Sequence, residues 1–348
     1  MGEDRFVERL ERQRRACTSM GSPLYGELLQ YAIAEYQSRG PFFGFITNDT
    51  RRAEMSLPSL RLLGALHFLA LEGSAPEYAA HLPSCGGDAD ARAAWAVASR
   101  MIELREREIA VHYAETPQTN EVARSTVLLA GASAVAERTG LPLRLLDVGA
   151  SAGLNGRLDC YRYEGDGWAW GDPNSPLVLR NRTRAGAPML LGEPLPIAER
   201  HGCDMHPLDV ANARDRLRLL SYVWADQLER VDRLQAAFAA ARHMPMHIDR
   251  ADLFSWIANN AEPVAETVTV VMHSVVMDHL PPEGRTQLEA EIAGLGALAN
   301  GHAPLAWLRM EQGPERKWYE TRLTLWPGSE ETLIARSDGH GQEIVWNA

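Results

Sequence analysis

The sequence has few cysteines, no long apolar run and no extended block of basic charge. Its four cysteines form no CxxC pair, and the N-terminal segment MGEDRFVERLERQRR is charged where a signal peptide would be apolar. The most apolar stretch, Val268 to Met277, covers ten residues and contains His273, so it is too short to cross a bilayer. These absences favour a protein of the reducing cytoplasm with no membrane partner.

The charge balance argues against nucleic-acid binding. The chain has a formal net charge of -11, and its arginine runs are short and flanked by neutral or acidic sequence. We therefore predict no nucleic-acid partner. Each run is interpreted as a solvated helix face or hairpin edge, with binding of an anionic ligand as the alternative. The runs are Arg12, Arg14, Arg15 and Arg180, Arg182, Arg184.

The N-terminal part of the chain is predicted to be helical, because apolar residues recur there at spacings of three and four between glycine and proline breaks. One helix is predicted from Asp88, its N-cap, to about Tyr113. Another is predicted from Asn120 to Arg138, with Gly140 as a left-handed C-cap. A chain of 348 residues exceeds the usual size of a single core. We therefore expect a helical region over residues 1–141 and a second domain over 142–348.

The second domain is predicted to alternate strands with helices. The segment from Asp209 to Met244 is interpreted as two helices meeting near Ala225, and alternation of this kind implies a mainly parallel sheet covered on both faces. A short turn joins the last two strands, so these should form an antiparallel hairpin. A small hairpin is expected as an insertion at about 161–196. The predicted strands are Leu143–Val148, Ile197–Cys203, Met246–Ile248, Val268–His273, Leu305–Arg309, Tyr319–Leu325 and Thr332–Ala335.

The segment LLDVGASAGLN, residues 145–155, is the most informative part of the sequence. A buried strand runs into a glycine turn and then into a helix start. In one interpretation, Gly149 permits the sharp turn, Gly153 permits close backbone approach, and free N–H groups face a ligand that Asp147 also contacts. The sequence therefore predicts a nucleotide-type loop, formed by Asp147, Gly149, Ala150, Ser151, Gly153 and Asn155.

The same loop also spells G-x-S-x-G, the nucleophile elbow of α/β-hydrolases, which would make Ser151 a nucleophile. A hydrolase elbow follows several strands of its sheet and needs an upstream oxyanion segment of the HGGG type. Here the upstream residues are predicted to be helical and contain no such segment. A purely structural turn is the third possibility. The order of elements favours the nucleotide-type loop.

The first-strand motif resembles that of the class I S-adenosylmethionine (SAM) methyltransferases, in which an acid precedes three alternating glycines. Here the pattern is Asp147, Gly149, Ser151 and Gly153, with serine in place of the middle glycine. The segments LLDVGASAGLNGRLDCYRY, HGCDMHPLD, SYVWADQLER and VVMHSVV together resemble an uncharacterised bacterial family of unknown function with a methyltransferase-like core. This resemblance covers nearly the whole chain and implies a Rossmann-like seven-stranded, mainly parallel α/β sheet, with the helical N-terminal region as a lid or acceptor wall.

The resemblance also implies cofactor contacts beyond the loop. Class I methyltransferases place an acid after the second strand for the ribose hydroxyls, and Asp204 matches that position; a carboxylate suits a diol because it accepts both hydroxyl hydrogens. Asp252 matches the acid that follows the third strand, for the adenine amino group. The alternative for both is helix N-capping, which Asp209 could share with Asp204.

Acceptor-binding residues are expected at the carboxyl ends of the strands. His273 is the candidate base or acceptor-orienting residue, with Ser274 beside it; a partly buried, hydrogen-bonded histidine is the alternative. In the segment TNEVARS, Asn120, Glu121 and Arg124 are candidates for a site wall. Their alternative is a helix cap with a surface ion pair.

A metal site is not predicted. Imidazole and thiolate are good zinc ligands, and HGCDMH contains His201, Cys203 and His206. On a strand, however, only His201 and Cys203 share a face, and His206 lies beyond the turn. Two ligands without a second pair do not define a site.

The sequence therefore predicts a SAM-dependent methyltransferase acting on a small-molecule acceptor, with S-adenosylhomocysteine as product. The alternative is a catalytically inactive methyltransferase-like protein that binds a nucleotide or serves in interactions. A serine hydrolase built on Ser151 is a third hypothesis. The sequence gives no indication of the oligomeric state.

Overall fold

The computed structural model describes residues 3–190, 192 and 194–347. Five residues lie outside the described part of the chain: 1, 2, 191, 193 and 348. They fall in the predicted helical region, insertion and second domain. The chain divides into two compact units. One comprises Met1–Thr119 and Asn212–Asp232, and the other comprises Asn120–Ala211 and Arg233–Ala348.

The first unit is helical in its described residues. Its helices enclose a core rich in aromatic rings, in which the Glu35 carboxylate accepts hydrogen bonds from Phe42 N and Trp95 Nε1, both at 2.8 Å. The helices are α1 (Glu3–Ser19), α2 (Pro23–Gln37), α3 (Pro41–Thr47), α4 (Arg51–Glu54), α5 (Pro58–Leu71), α6 (Pro76–Ala79), α7 (Ala91–Leu104) and α8 (Glu106–Ala114), followed after residue 211 by α10 (Ala213–Ser221) and the start of α11 (Leu228–Ala241).

The helix predicted from Asp88 to Tyr113 is two helices, α7 and α8. Asp90 rather than Asp88 caps α7, since its carboxylate accepts Ala93 N at 3.0 Å. The break falls at Arg105, whose side chain donates to Glu108 and to Ser74 O. The two helices predicted over 209–244 are present as α10 and α11.

The second unit is built on a mixed, mostly parallel sheet that has nine strands in the described residues, in the order β5-β12-β11-β10-β9-β8-β1-β6-β7. Five neighbouring strands are parallel to one another, in the sheet order β7, β6, β1, β8 and β9. Strands β9 to β12 form an antiparallel meander. The strands of this sheet are β1 (Leu143–Val148), β5 (Arg182–Ala185), β6 (Ile197–Asp204), β7 (His247–Arg250), β8 (Val268–Ser274), β9 (Leu305–Gln312), β10 (Tyr319–Trp326), β11 (Glu330–Ser337) and β12 (Glu343–Trp346).

Helices cover this sheet. Helix α9 (Ser125–Thr139) packs closely on β9, because a Cβ at Gly131 would lie 2.3 Å from Leu308 Cδ1. Helices α12 (Leu253–Asn260) and α13 (Pro282–Gly296) contribute Ile257, Leu288 and other apolar residues to a core under β1, β6 and β8. Short 3-10 segments occur at Pro83–Cys85, Val122–Arg124, Asn155–Cys160 and Met277–His279.

Four aspects of the sequence-based fold prediction differ from the structure. The sheet contains the seven predicted strands, including the antiparallel pair β10 and β11, but β12 and β5 extend it. The insertion is a three-stranded sheet of β2 (Arg162–Gly165), β3 (Trp168–Trp170) and β4 (Val178–Arg180), not a hairpin. The helix predicted from Asn120 begins at Ser125, although Gly140 does cap it with φ of +65°. The boundary predicted at residue 141 also differs, because α9 belongs to the sheet unit and residues 212–232 to the helical one.

None of the helices in the described part of the chain is both long and apolar enough to span a bilayer.

Candidate functional site

The candidate site lies at the carboxyl end of β1, the strand at which the chain order of the sheet reverses. β1 pairs with β6 on one side and with β8 on the other, so the parallel strands that come later in the chain lie on both sides of it. The loop that follows adopts positive φ at Gly149 (+69°), Ser151 (+54°) and Gly153 (+69°). This left-handed conformation is easy for glycine and strained for serine.

Two side chains from outside the loop hold its backbone. The Asp204 carboxylate, at the end of β6, accepts Ser151 N at 2.9 Å and His206 N at 2.8 Å. Asn120 Oδ1 accepts Ala152 N at 3.3 Å and Leu154 N at 3.1 Å. Asn120 therefore anchors the glycine loop from the segment that precedes α9.

Arg157 holds the loop by hydrogen bonds to its carbonyl groups, and it was not identified in the sequence analysis. Its guanidinium is buried and donates to Ala152 O and Gly153 O, both at 2.9 Å, and to Met244 O at 2.7 Å. Burial lowers the pKa of this guanidinium. The available sequence signal was an arginine four residues after Gly153, in the segment GLNGRL.

The glycines of the loop are needed for packing within the protein. A Cβ at Gly149 would lie 2.7 Å from Val276 Cγ2, and one at Gly153 would lie 2.9 Å from Ile248 Cδ1. The close approach that these glycines permit is therefore to side chains that follow β8 and lie on β7.

Three buried polar atoms around the loop have no hydrogen-bond partner among the described residues. They are Asp147 Oδ2, Ser151 Oγ and Asn155 Oδ1. Burial, followed by repulsion from Asp204, raises the pKa of Asp147 to about 7, although a hydrogen bond from the Gly156 backbone and the charge of Arg157 act in the opposite direction. A buried polar atom without a partner costs roughly 1–3 kcal/mol, so this concentration calls for a ligand or ion.

His273, at the end of β8, has both ring nitrogens engaged. Its Nε2 accepts from Trp307 Nε1 at 2.9 Å, and since an indole nitrogen only donates, Nδ1 carries the proton and donates to Glu311 Oε1 at 2.7 Å. The side chain is fully buried. This geometry matches the alternative of a satisfied histidine; a catalytic role for His273 stays a prediction. The neighbouring Ser274 Oγ accepts from Asn155 Nδ2 at 3.4 Å.

The segment after β8 is strained and is held by Glu311. Val275 has φ of +58°, and it is the single β-branched residue with positive φ in the described chain. The Glu311 carboxylate accepts Val276 N at 2.8 Å and Met277 N at 3.2 Å. Sequence analysis missed Glu311, although an acid at the end of a predicted parallel strand was the signal.

A charged cleft of about 370 Å³ opens beside this segment. It lies near the carboxyl ends of β8 and β9. Its charged lining residues include Asp278, Arg285, Glu289, Arg309, Glu311 and Arg316.

The remaining predicted site residues have local structural contacts. Asp252 caps α12, accepting Phe254 N and Ser255 N. Glu121 is buried and forms an ion pair with Arg233 at 3.3 Å.

One further candidate from the sequence analysis, Arg124, donates to Gly339 O at 2.9 Å. In the insertion, Trp170 packs edge-on against Tyr163. Whether Arg124, Asp252 or Glu121 contacts a ligand stays a prediction.

The serine-hydrolase hypothesis finds no geometric support. Ser151 has a positive φ, as an elbow serine would, but its Oγ is buried and has no hydrogen-bond partner in the described residues. The histidine that a serine nucleophile requires as general base is therefore not in place.

A second cluster of polar side chains lies on β6 and β7. His201 pairs across the strands with His247, and Asp249 follows on the same face. His201 Nε2 and His247 Nε2 each lie 2.9 Å from an Asp249 oxygen, and one ligand atom from each residue falls within 4.8 Å of the others. Sequence analysis grouped His201 with Cys203 and His206 and missed His247 and Asp249, although their H-x-D spacing on a predicted strand was the signal.

These features define a mixed α/β protein with a candidate ligand site at the carboxyl ends of its central parallel strands. The chain belongs to the family described as "Uncharacterized protein conserved in bacteria (DUF2332)", whose model matches residues 7–346. This confirms the resemblance to an uncharacterised bacterial family over nearly the whole chain. No curated protein and no solved structure gives a match.

Proposed function

We propose that this chain binds S-adenosylmethionine at the carboxyl end of β1 and transfers its methyl group to a small polar acceptor. The observation that carries the proposal is the set of buried atoms without partners, Asp147 Oδ2, Ser151 Oγ and Asn155 Oδ1. They lie between the end of β1 and the start of the 3-10 segment that follows, at the point where the order of the parallel strands reverses. This is where open α/β sheets bind ligands.

The order of the parallel strands supports a Rossmann-like domain of the methyltransferase class. Numbered by their appearance in the chain, β1, β6, β7, β8 and β9 are the first to fifth parallel strands, and their order in the sheet is third, second, first, fourth, fifth. This is the order of the doubly wound dinucleotide-binding fold. Beyond β9 the sheet continues as an antiparallel meander.

The chemistry of the donors and acceptors fits the cofactor. SAM has an ammonium group, a carboxylate and two ribose hydroxyls, and when bound it supplies a methyl group activated on a sulfonium. The Asp147 carboxylate suits a cation or hydroxyl, Ser151 Oγ can donate or accept, and Asn155 Oδ1 accepts. Asp204 is partly exposed at the end of β6 and is the acid proposed to face the ribose hydroxyls.

The acceptor is proposed to bind in the charged cleft near the ends of β8 and β9. Arginine and carboxylate groups both line it, which favours a small polar acceptor with charges of its own. Methyl transfer requires chiefly that the acceptor be positioned and water excluded. Through Glu311, His273 would orient the strained segment from Val275 to Met277 beside that cleft.

Calorimetric titration with SAM and with S-adenosylhomocysteine tests the proposal. We expect micromolar binding by the wild-type protein and a loss of at least about tenfold, or 1.4 kcal/mol, in each of Asp147→Asn and Asp204→Ala. Asp172→Asn is the matched control, because Asp172 is an exposed aspartate in a turn of the insertion, where asparagine can take over its hydrogen bond to Asn174 N.

The outcome also distinguishes the proposal from the inactive alternative. Binding that the site variants weaken, followed by methyl transfer in a screen of small polar acceptors, supports the enzyme. Binding with no transfer to any acceptor supports a methyltransferase-like protein that only binds the nucleotide. If folded wild-type protein binds neither compound at millimolar concentration, the proposal is wrong.

A further inference from the structure

We propose that His201, His247 and Asp249 form a site for a divalent metal ion of the zinc type, separate from the proposed cofactor site. Two imidazole nitrogens and one carboxylate are a donor set that suits Zn²⁺ and similar transition metals better than Mg²⁺ or Ca²⁺, which prefer oxygen ligands alone. Three protein ligands leave at least one coordination position for water.

The strand geometry brings the three donors together without distortion. His201 and His247 are cross-strand partners in the parallel pair of β6 and β7, with ring centroids 5.3 Å apart. Asp249 lies two residues after His247, so both side chains stand on the face that also carries His201. Ligand atoms within 4.8 Å of one another can move onto a common ion with small rotations of the side chains.

The contact between His201 and Asp249 favours a metal over a simple hydrogen bond. His201 Nε2 lies 2.9 Å from Asp249 Oδ2, yet this buried nitrogen has no aligned hydrogen bond in the described residues. The short distance and the poor alignment are compatible if both atoms direct lone pairs at a shared cation. A nitrogen that only donated its proton to the carboxylate would point at the oxygen.

Buried groups orient the carboxylate and one imidazole. Trp256 Nε1 donates to Asp249 Oδ2 at 2.7 Å, and the Trp256 ring packs edge-on against His201 with centroids 5.2 Å apart. Outer partners of this kind fix the ligands of metal sites.

The matched variants are His247→Ala and His302→Ala. His247 is three-quarters exposed on an edge strand, so its loss should not disturb folding. His302 is likewise an exposed histidine near one carboxylate, that of Glu266 at 3.8 Å, but it belongs to no cluster of three such groups found in the described residues. Trp256→Phe removes the hydrogen bond to Asp249 while keeping an aromatic ring.

The measurement is zinc binding to tag-free protein that has been stripped with a chelator, by competition with a chromophoric chelator. We expect one tight equivalent for wild type and His302→Ala, and affinities at least about tenfold weaker for His247→Ala and Trp256→Phe. Substituted Co²⁺ should give the visible absorption of a low-coordinate site in wild type and not in His247→Ala. Zinc should raise the melting temperature of wild type but not of His247→Ala.

Equal zinc affinity in wild type and His247→Ala, or no binding by wild type, would overturn the inference. A loss of binding in His302→Ala as large as in His247→Ala would also overturn it. These readouts require no SAM, so failure here leaves the proposed methyltransferase activity unaffected, and the reverse also holds.

Discussion

Replacing Asp147 by asparagine should stabilise the protein at alkaline pH while removing a group that the proposed cofactor needs. The folded state raises the pKa of Asp147 to about 7 from an ordinary value of 3.8. The folded protein therefore binds this proton more tightly than the unfolded chain does. It follows that the contribution of Asp147 to stability is fully present below about pH 4, is lost as pH rises towards 7, and stays lost above that.

The magnitude follows from the difference between the two pKa values. At about 1.36 kcal/mol for each tenfold change in proton affinity, a pKa near 7 corresponds to an upper limit of about 4 kcal/mol at pH 8. Asparagine has almost the same shape and can still accept the hydrogen bond from the Gly156 backbone. Its amide nitrogen takes the place of an oxygen that already lacks a partner. We expect Asp147→Asn to exceed wild type by about 1–4 kcal/mol at pH 8 and by much less at pH 5.

Urea and thermal midpoints of Asp147→Asn, wild type and Asp172→Asn, measured in parallel from pH 5 to pH 8, test this reasoning. The difference between Asp147→Asn and wild type should grow with pH, and Asp172→Asn should follow wild type throughout. A difference that is constant with pH, or one that reverses sign at pH 8, would refute the assignment of a raised pKa to Asp147.

Other substitutions test the loop and the segment after β8. Ser151→Gly should raise the thermal midpoint by the equivalent of about 1 kcal/mol, because glycine adopts φ of +54° without strain and removes a buried hydroxyl that has no partner; an unchanged or lower midpoint would contradict this. Asn120→Ala should weaken SAM binding severalfold in calorimetry, since two loop N–H groups lose their acceptor, whereas Asn120→Asp should retain binding. Glu311→Ala should lower the thermal midpoint by the equivalent of about 2–3 kcal/mol, because Val276 N and Met277 N lose their acceptor next to strained Val275. Glu311→Gln should lose less stability, and equal losses in the two variants would argue that Glu311 does not hold this segment.

Much of the sheet could be predicted because its strands are short apolar runs bounded by turns, a pattern that local sequence carries. The helix break at Arg105 could not, since LREREI contains no glycine or proline and the break is stabilised by contacts to Ser74 and Glu108. Strand β5 was also missed, because RTRA is polar and its pairing partner β12 lies far along the chain. Such pairings depend on tertiary contacts that a local pattern does not encode.

The acids of the candidate site were predictable from the sequence, but the residues that hold the surrounding backbone in place were not. Asp147 lies at the end of one predicted strand and Asp204 directly follows another, and parallel strands bring their carboxyl ends to one edge. By contrast, Arg157 and Glu311 act on backbone groups whose positions are known only once the chain has folded. Asn120 was predicted as a substrate residue, and the contacts it makes in the structure are to the loop itself.

Several local costs in the second unit lie where a ligand is proposed. Ser151 and Val275 hold left-handed backbone, Asp147 is an acid without a full set of partners, and these features converge on the ends of β1 and β8. Elsewhere along these strands, burial and periodicity agree with the fold. A sequence selected only for stability would replace Ser151 by glycine, which removes backbone strain and a buried hydroxyl without a partner, and Asp147 by asparagine, which removes a buried charge. Their presence supports the proposal of a ligand that contacts the serine hydroxyl and the aspartate carboxylate, since proteins depart from local rules at functional sites.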